Sequence, residues 1–245
     1  MMRAAPWFGA FLLLAVATGV PAAAPPTVFV DELTWPELRD QVRAGRTTVI
    51  IPIGGTEQNG PHMVLGKHNA RARALAGKIA QTLGNALVAP VLAYVPEGNI
   101  EPPTAHMRFP GTIPVPEAAF EQVIASAARS FKRHGFRDIV LLGDHGGYRK
   151  SLRVVADRLN REWATTPTRA HAIDQYYRTV ETMYPQVLRS RGFRDDEIGT
   201  HAGLADTSLA LAIDPGLVRT ERLSAGAKLD PADGVYGDPR RASAE

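Results

Sequence analysis

Apolar runs of strand length alternate along the chain with segments in which apolar residues recur at helical spacing. Runs rich in aliphatic and β-branched residues predict strands at Thr48–Ile53, Ala86–Pro90, Ile139–Leu142 and Arg169–Ala172. Helical spacing predicts helices over Pro36–Ala44, Asn69–Leu83, Pro116–His134, Arg149–Arg161, Tyr177–Arg191 and Ala205–Ala212. This alternation is typical of an α/β protein, and we predict a three-layer α/β/α sandwich with a parallel or mixed central sheet.

The N-terminal segment follows a different pattern. Arg3 precedes an apolar run from Trp7 to Val20, and small residues follow up to Ala24, which is the layout of a secretory signal peptide. The apolar run is shorter than the ~20 residues that a membrane-spanning helix needs. We therefore predict a cleaved signal peptide over residues 1–24, export to the periplasm or beyond, and a single domain over residues 25–245.

Composition limits the classes of partner and of chemistry. The chain of 245 residues is 44% hydrophobic, enough for one substantial core. It has no cysteine, so a metal ion would have to be bound by His, Asp, Glu or Asn. Removal of the leader lowers the formal net charge only from +3 to +2, since Arg3 is its one charged residue. We expect no nucleic-acid partner and no stable membrane insertion after cleavage.

Candidate chemistry follows the first predicted strand. Residues 54–62 read Gly-Gly-Thr-Glu-Gln-Asn-Gly-Pro-His, and residues 65–68 read Leu-Gly-Lys-His. Their polar side chains lie beyond the carboxyl end of a buried strand, which is where open α/β sheets bind ligands. The irregular stretch Tyr94–Pro114 is longer than ordinary connections, and we predict that it is an active-site loop.

These residues resemble the creatininase (creatinine amidohydrolase) family, which has a Thr-Glu-Gln-His-Gly-Pro-His loop followed by Leu-Gly-x-Asp. Three further segments resemble the family in its own order: Arg-Phe-Pro-Gly-Thr at 108–112, Gly-Asp-His-Gly-Gly at 143–147 and His-Ala-Gly-Leu-Ala-Asp-Thr-Ser at 201–208. The resemblance implies a creatininase-like fold, hydrolysis of a non-peptide C–N bond in a small amide or amidine, and a homo-oligomer. It also implies a divalent metal cofactor, with zinc favoured over manganese or iron.

In the family resemblance, two divalent ions are bound by conserved side chains, and this chain matches them only in part. Glu57, His145 and the shortened Asp206 match, whereas Asn59 replaces a histidine and His68 replaces the bridging aspartate. A carboxylate can bridge two ions but an imidazole nitrogen binds one, and a neutral amide is a weak ligand. We therefore predict one ion bound by Glu57, His68 and His145, with Asp206 completing the set. Two ions, with Asp206 or water as the bridge, are the alternative.

The remaining candidates surround that predicted set. The resemblance places His201 beside the substrate, and we predict that it protonates the leaving nitrogen; His145 and Asp206 are the other catalytic candidates. Candidates for substrate contact or for support of the ligands are Asn59, His62, Asp144 and Arg108. His62 could orient its loop as readily as bind metal, and His106, with no family ligand to match, is expected at the surface or as a polar core residue.

Together these features predict a metal-dependent amidohydrolase that cleaves a C–N bond in a small cyclic or linear amide by metal-activated water. The alternative is a non-catalytic small-molecule-binding protein on the same scaffold, because Asn59 and His68 are also what a degraded metal site would contain. Residues 237–245 resemble the start of the family's last helix, so we expect the full family fold to continue past Glu245.

Overall fold

The computed structural model describes residues 27–224, 226–227 and 229–245, so the predicted signal peptide lies outside the described residues. The strands are β1 (Thr48–Ile53), β2 (Ala86–Val88), β3 (Asp138–Gly143) and β4 (Arg169–Ile173). The α-helices are α1 (Trp35–Arg43), α2 (Lys67–Leu83), α3 (Glu117–Arg133), α4 (Arg149–Glu162), α5 (Gln175–Ser190), α6 (Asp195–Ile198) and α7 (Leu204–Ile213). Among the described residues, no helix is both long enough and apolar enough to cross a bilayer.

The four strands form one sheet in the order β2-β1-β3-β4, and every neighbouring pair is parallel. Thr48 of β1 is in register with Ala86 of β2 and with Asp138 of β3. A parallel sheet of this kind needs cover on both faces, because the crossover connections place helices there.

Side chains that alternate along β1 enter two separate cores. Val49, Ile51 and Ile53 pack in one cluster with residues of α3 and α4, whereas Ile50 packs in another with Ala76 of α2. Alternation is the consequence of the two-residue period of a strand. The predicted three-layer α/β/α sandwich is confirmed, and its sheet is wholly parallel.

Two of the predicted element boundaries differ from the structure in ways that matter. Strand β2 ends at Val88 rather than Pro90, consistent with the lack of a backbone N–H at Pro90 for the ladder. Helix α2 begins at Lys67 rather than Asn69, and its preceding residue is Gly66. His68 therefore lies in the first turn of the helix instead of before it, which fixes the direction of its imidazole.

The carboxyl ends of β1 and β3 meet at one edge of the sheet. The hydroxyl of Tyr148 lies 2.7 Å from the carbonyl oxygens of both Ile53 and Gly54, so it joins the two loops that leave these strands. The long 94–114 stretch reaches the same edge, because the amide of Ile113 donates to the carbonyl of Thr56 at 3.0 Å. Three loops thus converge at the place predicted for the site.

Candidate metal and catalytic site

Four side chains at this edge form a group with the composition of a metal site, and we call it the ligand cluster: Glu57, Glu97, His106 and His145. One ligand atom from each lies within 4.8 Å of the others. Oε2 of Glu57 is 3.2 Å from Nε2 of His106 and 3.7 Å from Nε2 of His145. Nδ1 of His145 lies 3.6 Å from Oε1 of Glu97.

The two carboxylates of the ligand cluster are buried and incompletely paired. Oε2 of Glu57 and Oε1 of Glu97 have no hydrogen-bond partner, although Glu57 is 0% and Glu97 3% exposed. Buried polar atoms in folded proteins are nearly always paired, so two orphaned oxygens facing imidazoles need a physical reason. A divalent cation between them would satisfy both.

The electrostatics of the cluster support the same interpretation. Burial and the adjacent charge of Glu57 raise the pKa of Glu97 to about 9, the mark of an acid that lacks a compensating cation. Burial lowers the pKa of His145 to about 4 and also lowers that of His106, so both imidazoles are neutral at physiological pH. Neutral imidazole and carboxylate are the forms that bind zinc. The residues present therefore fit a divalent metal ion.

Glycine makes room for this arrangement at one position. Gly55 has φ +155°, and a Cβ placed there would lie 2.9 Å from Oε1 of Glu97. A side chain at residue 55 would therefore press on a carboxylate of the ligand cluster. Gly55 thus permits the close approach of the 94–114 loop.

His68, predicted to be a terminal metal ligand, contacts two carboxylates. Its Nε2 lies 2.9 Å from Oε1 of Glu57, and its Nδ1 lies 2.6 Å from Oδ2 of Asp144. Burial lowers the pKa of His68, but its carboxylate partners outweigh that effect and raise the pKa above the ordinary value. An imidazole with a carboxylate at each nitrogen has no lone pair to offer a metal ion, so His68 instead orients Glu57.

Asp206, predicted to be a ligand or a group acting on water, is paired with two cations of the protein. Its Oδ2 lies 2.8 Å from Nζ of Lys67 and its Oδ1 lies 2.7 Å from a guanidinium nitrogen of Arg71. The amide of Ala202 also donates to Oδ2 at 3.0 Å. Both oxygens of Asp206 are thus engaged by cations. Asp206 neutralises the positive charge of α2, on which Lys67 and Arg71 are one turn apart.

Asp144 links this ion-pair network to the ligand cluster, although it contacts His68 rather than His145. Its carboxylate lies 3.1 Å from Nε of Arg71, and it accepts a hydrogen bond of 2.6 Å from the hydroxyl of Tyr176. The histidine that Asp144 contacts is His68.

The first-motif residues Asn59 and His62 brace the loop that holds Glu57. The side-chain amide of Asn59 donates to the carbonyls of Glu57 at 2.9 Å and of Val64 at 3.0 Å. Nε2 of His62 lies 3.0 Å from the hydroxyl of Thr207 on α7. Asn59 and His62 are both 0% exposed, and Oδ1 of Asn59 and Nδ1 of His62 are buried without a hydrogen-bond partner.

His201 lies where a proton carrier for a bound molecule is needed. Its Nε2 is 3.0 Å from the carbonyl oxygen of Gln58, which accepts, and also 3.0 Å from the side-chain amide nitrogen of Gln58, which donates. Nδ1 lies 3.9 Å from Oε1 of Glu57. Burial and the charge of Lys67 lower the pKa of His201 to about 3, which keeps the ring neutral.

A cavity of about 320 Å³ opens over the ligand cluster. Its lining includes His106, His145 and His201, and also Tyr177, Val180 and Pro185 of α5. Arg108, predicted to contact the substrate, is not among the lining residues. It is exposed, and its Nε donates to the carbonyl of Ala105 at 3.2 Å.

Sequence reasoning did not identify Glu97 and His106 as candidate metal ligands. Both lie in the irregular stretch Tyr94–Pro114. The length of that loop and its position after a strand were the signal that could have identified them, since local spacing relates neither residue to Glu57 or His145.

Known proteins resemble this chain in sequence and in fold. The family model described as Creatininase, creatinine amidohydrolase, matches residues 31–245. A creatinine amidohydrolase of Pseudomonas putida is 32% identical over 225 residues, which cover 89% of this chain and 85% of the relative. A mycofactocin precursor peptide peptidase of Mycolicibacterium smegmatis is 30% identical over 217 residues, covering 80% of this chain and 76% of the relative.

A solved creatininase variant described as of the Zn-Zn type superimposes with a TM-score of 0.71 at 28% identity. The superposition covers 89% of this chain and 90% of that structure. The match of the family model over most of the sequence, the relatives and the shared fold lead to one conclusion. The chain belongs to the creatininase family of hydrolases.

Proposed function

We propose that this protein hydrolyses a C–N bond in a small cyclic or linear amide with the help of one divalent ion bound by the ligand cluster. The observation that carries the proposal is the pair of buried, unpartnered carboxylate oxygens of Glu57 and Glu97 beside two neutral imidazoles. Zinc or manganese suits this set of donors, and solved creatininases are described as the Zn-Zn type and the Mn form.

The ligand cluster would hold the ion through carboxylate oxygens of Glu57 and Glu97 and ring nitrogens of His106 and His145. When bound, such an ion supplies a lowered pKa for water and polarisation of an amide carbonyl. The chain's own contribution is to keep the imidazoles neutral by burial and to fix Glu57 through His68.

His201 supplies the proton transfer. A ring nitrogen of His201 accepts a proton from the attacking water as the water adds to the amide carbon, and the resulting imidazolium returns that proton to the leaving nitrogen. The contacts of Nε2 with the backbone carbonyl and the side-chain amide of Gln58 hold the ring in place. The acid role predicted from the sequence thus becomes the second half of a base-then-acid sequence.

The cavity favours a small substrate over a long chain. Its volume of about 320 Å³ is at the lower end of the ~300–1,000 Å³ that small-molecule sites span. The relatives named above are described as acting on creatinine and on a precursor peptide, so both are amides to be tried. We also propose that the protein is exported, as residues 1–24 predict, and that it forms a homo-oligomer.

The test is turnover by protein stripped with a chelator and reloaded with zinc or manganese. A panel of creatinine, N-formyl amides and short peptides would be assayed for release of amine. We expect hydrolysis of a small amide by reloaded protein and none by stripped protein. Binding of these compounds without turnover at any metal loading would contradict the proposal and favour the non-catalytic binding protein.

A further inference from the structure

Cations of the protein itself lie among the side chains that in the family resemblance bind metal. Asp206 occupies the position of a family glutamate ligand, yet it is paired with Lys67 at 2.8 Å and with Arg71 at 2.7 Å. Arg71 also reaches Asp144, 3.1 Å away. The carboxylates on this side of the site therefore already have positive partners.

Lys67 is an unusual residue for its place in the fold. It is 0% exposed and is the first residue of α2, where the helix dipole disfavours a cation. A buried ammonium is stable only when a negative group lies close to it, and Asp206 is that group. Its charge extends through the site: after burial, Lys67 has the largest effect on the pKa values of His62 and His201, and lowers both.

The two altered family positions offer little to a second ion. His68 has both ring nitrogens against carboxylates of Glu57 and Asp144. The amide nitrogen of Asn59 donates to backbone carbonyls of its own loop, and its buried Oδ1, although it has no hydrogen-bond partner, is a neutral amide oxygen and so a weak ligand. No bridging carboxylate stands at either position, because the sequence has an imidazole and a neutral amide there.

The charges of the side chains in the site also favour a single divalent ion. Four buried or nearly buried carboxylates lie in the site: Glu57, Glu97, Asp144 and Asp206. The permanent cations Lys67 and Arg71, together with the imidazole of His68, which has a carboxylate at each ring nitrogen, already offset much of this negative charge before any divalent ion binds. A second divalent ion would leave an excess of positive charge in a buried region, which is strongly unfavourable.

We propose that the ammonium of Lys67 and the guanidinium of Arg71 take the place of a second metal ion, so that this site binds a single divalent ion. The inference rests on the proposed function, since it takes the ligand cluster as the one metal site. It explains why the altered residues at 59 and 68 do not destroy the site. Residues 59 and 68 no longer bind a second positive ion, and Lys67 and Arg71 of helix α2 supply positive charge in its place.

The number of ions per chain tests the inference directly. Purified protein would be loaded with excess zinc, desalted and measured by elemental mass spectrometry. We expect one ion per chain. Two ions would overturn this inference while leaving the proposed hydrolase intact, whereas none would overturn the proposed function and this inference with it.

A variant that restores the family donors gives the converse test. Asn59→His, His68→Asp and Lys67→Met together remove the internal cation and supply the missing ligands, and we expect two ions per chain. Lys78→Met is the matched control, because Lys78 is exposed on the same helix, and it should keep one ion. A folded triple variant that still binds one ion would contradict the inference.

If circular dichroism shows that the triple variant does not fold, the wild-type protein decides the question. Loaded with excess manganese, it should give the electron paramagnetic resonance spectrum of isolated Mn²⁺. The spectrum of an exchange-coupled manganese pair would overturn the inference.

Discussion

Nε2 of His68 lies 2.9 Å from Oε1 of Glu57, so the two oxygens of the Glu57 carboxylate have different surroundings. Oε1 is held by the imidazole, whereas Oε2 faces His106 and His145 without a hydrogen bond. A histidine that stands where the family has a bridging aspartate thus becomes the support of a ligand. The substitution changes what the residue does and preserves the ligand beside it.

His68→Ala should weaken metal binding without abolishing it. The variant leaves the ligand cluster intact but frees Glu57 to rotate, and loss of such a supporting contact costs about 10–100-fold in metal affinity. Competition with a chromophoric chelator would measure the change. His134→Ala, at an exposed histidine, is the control and should bind metal as the wild type does. Complete loss of the bound ion in this variant would show that His68 is a direct metal ligand.

Glu97→Gln should lower metal affinity by at least the ~10–100-fold expected for a supporting contact, because it removes a direct ligand. The pKa of Glu97 is raised from 4.5 to about 9 in the metal-free folded protein. The free energy of unfolding therefore decreases as the pH rises between those two values, because the folded protein keeps this acid protonated while the unfolded chain does not. Glutamine removes that decrease. Metal-free Glu97→Gln should therefore melt at a higher temperature than metal-free wild type at neutral pH.

The control for this experiment is Glu101→Gln, an exposed glutamate in the same loop. It should leave metal affinity and melting temperature unchanged. Equal zinc affinity in Glu97→Gln and wild type would exclude Glu97 from the ligand cluster.

His201→Ala should lower kcat by about 10²–10⁴-fold, the usual contribution of a positioned acid or base. The metal content should stay as in wild type, since His201 is outside the ligand cluster. Steady-state kinetics on the amide identified in the panel, together with elemental analysis, would measure both. A loss of activity that is explained by lost metal would show that the residue supports the ligands instead of moving a proton.

Asp206→Asn should destabilise the protein in a pH-dependent way. Burial raises the pKa of Asp206, but Lys67 and Arg71 outweigh that and hold it well below the ordinary 3.8. An acid whose pKa is lowered on folding stabilises the protein above its unfolded pKa, and this stabilisation is lost as the pH falls through the folded value. Without the carboxylate, buried Lys67 lacks its partner, which costs about 3–5 kcal/mol.

Urea unfolding at pH 7 and at pH 3 would measure the difference. We expect the difference in the free energy of unfolding between variant and wild type to be large at pH 7. It should become smaller as the pH falls toward the pKa of Asp206 in the folded protein. Asp196→Asn is the control, because Asp196 is exposed and pairs with exposed Arg194. A difference in the free energy of unfolding that does not change with pH would mean that the charge of the carboxylate does not contribute to stability.

The strands and most helices could be predicted from the sequence because their signals are local. The run Thr48–Ile53 alternates between two cores, and the prediction matches β1 residue for residue. Errors lie at ends, where single residues decide: Pro90 cannot extend β2, and α2 starts two residues early, at Lys67. The positions of Glu57 and His145 at strand ends were likewise predicted, since parallel strands bring their carboxyl ends to one edge.

The sequence by itself determined the family, the sandwich and two members of the ligand cluster, because periodicity and motif spacing encode them within short segments. Only the tertiary structure decided which other residues join Glu57 and His145. Glu97 and His106 come from a loop whose path no local pattern specifies. Lys67 and Arg71 form ion pairs with Asp206 because α2 packs on α7. The physical reason is that a ligand set depends on which groups are left without partners once the chain has packed, and pairing is a property of the whole fold.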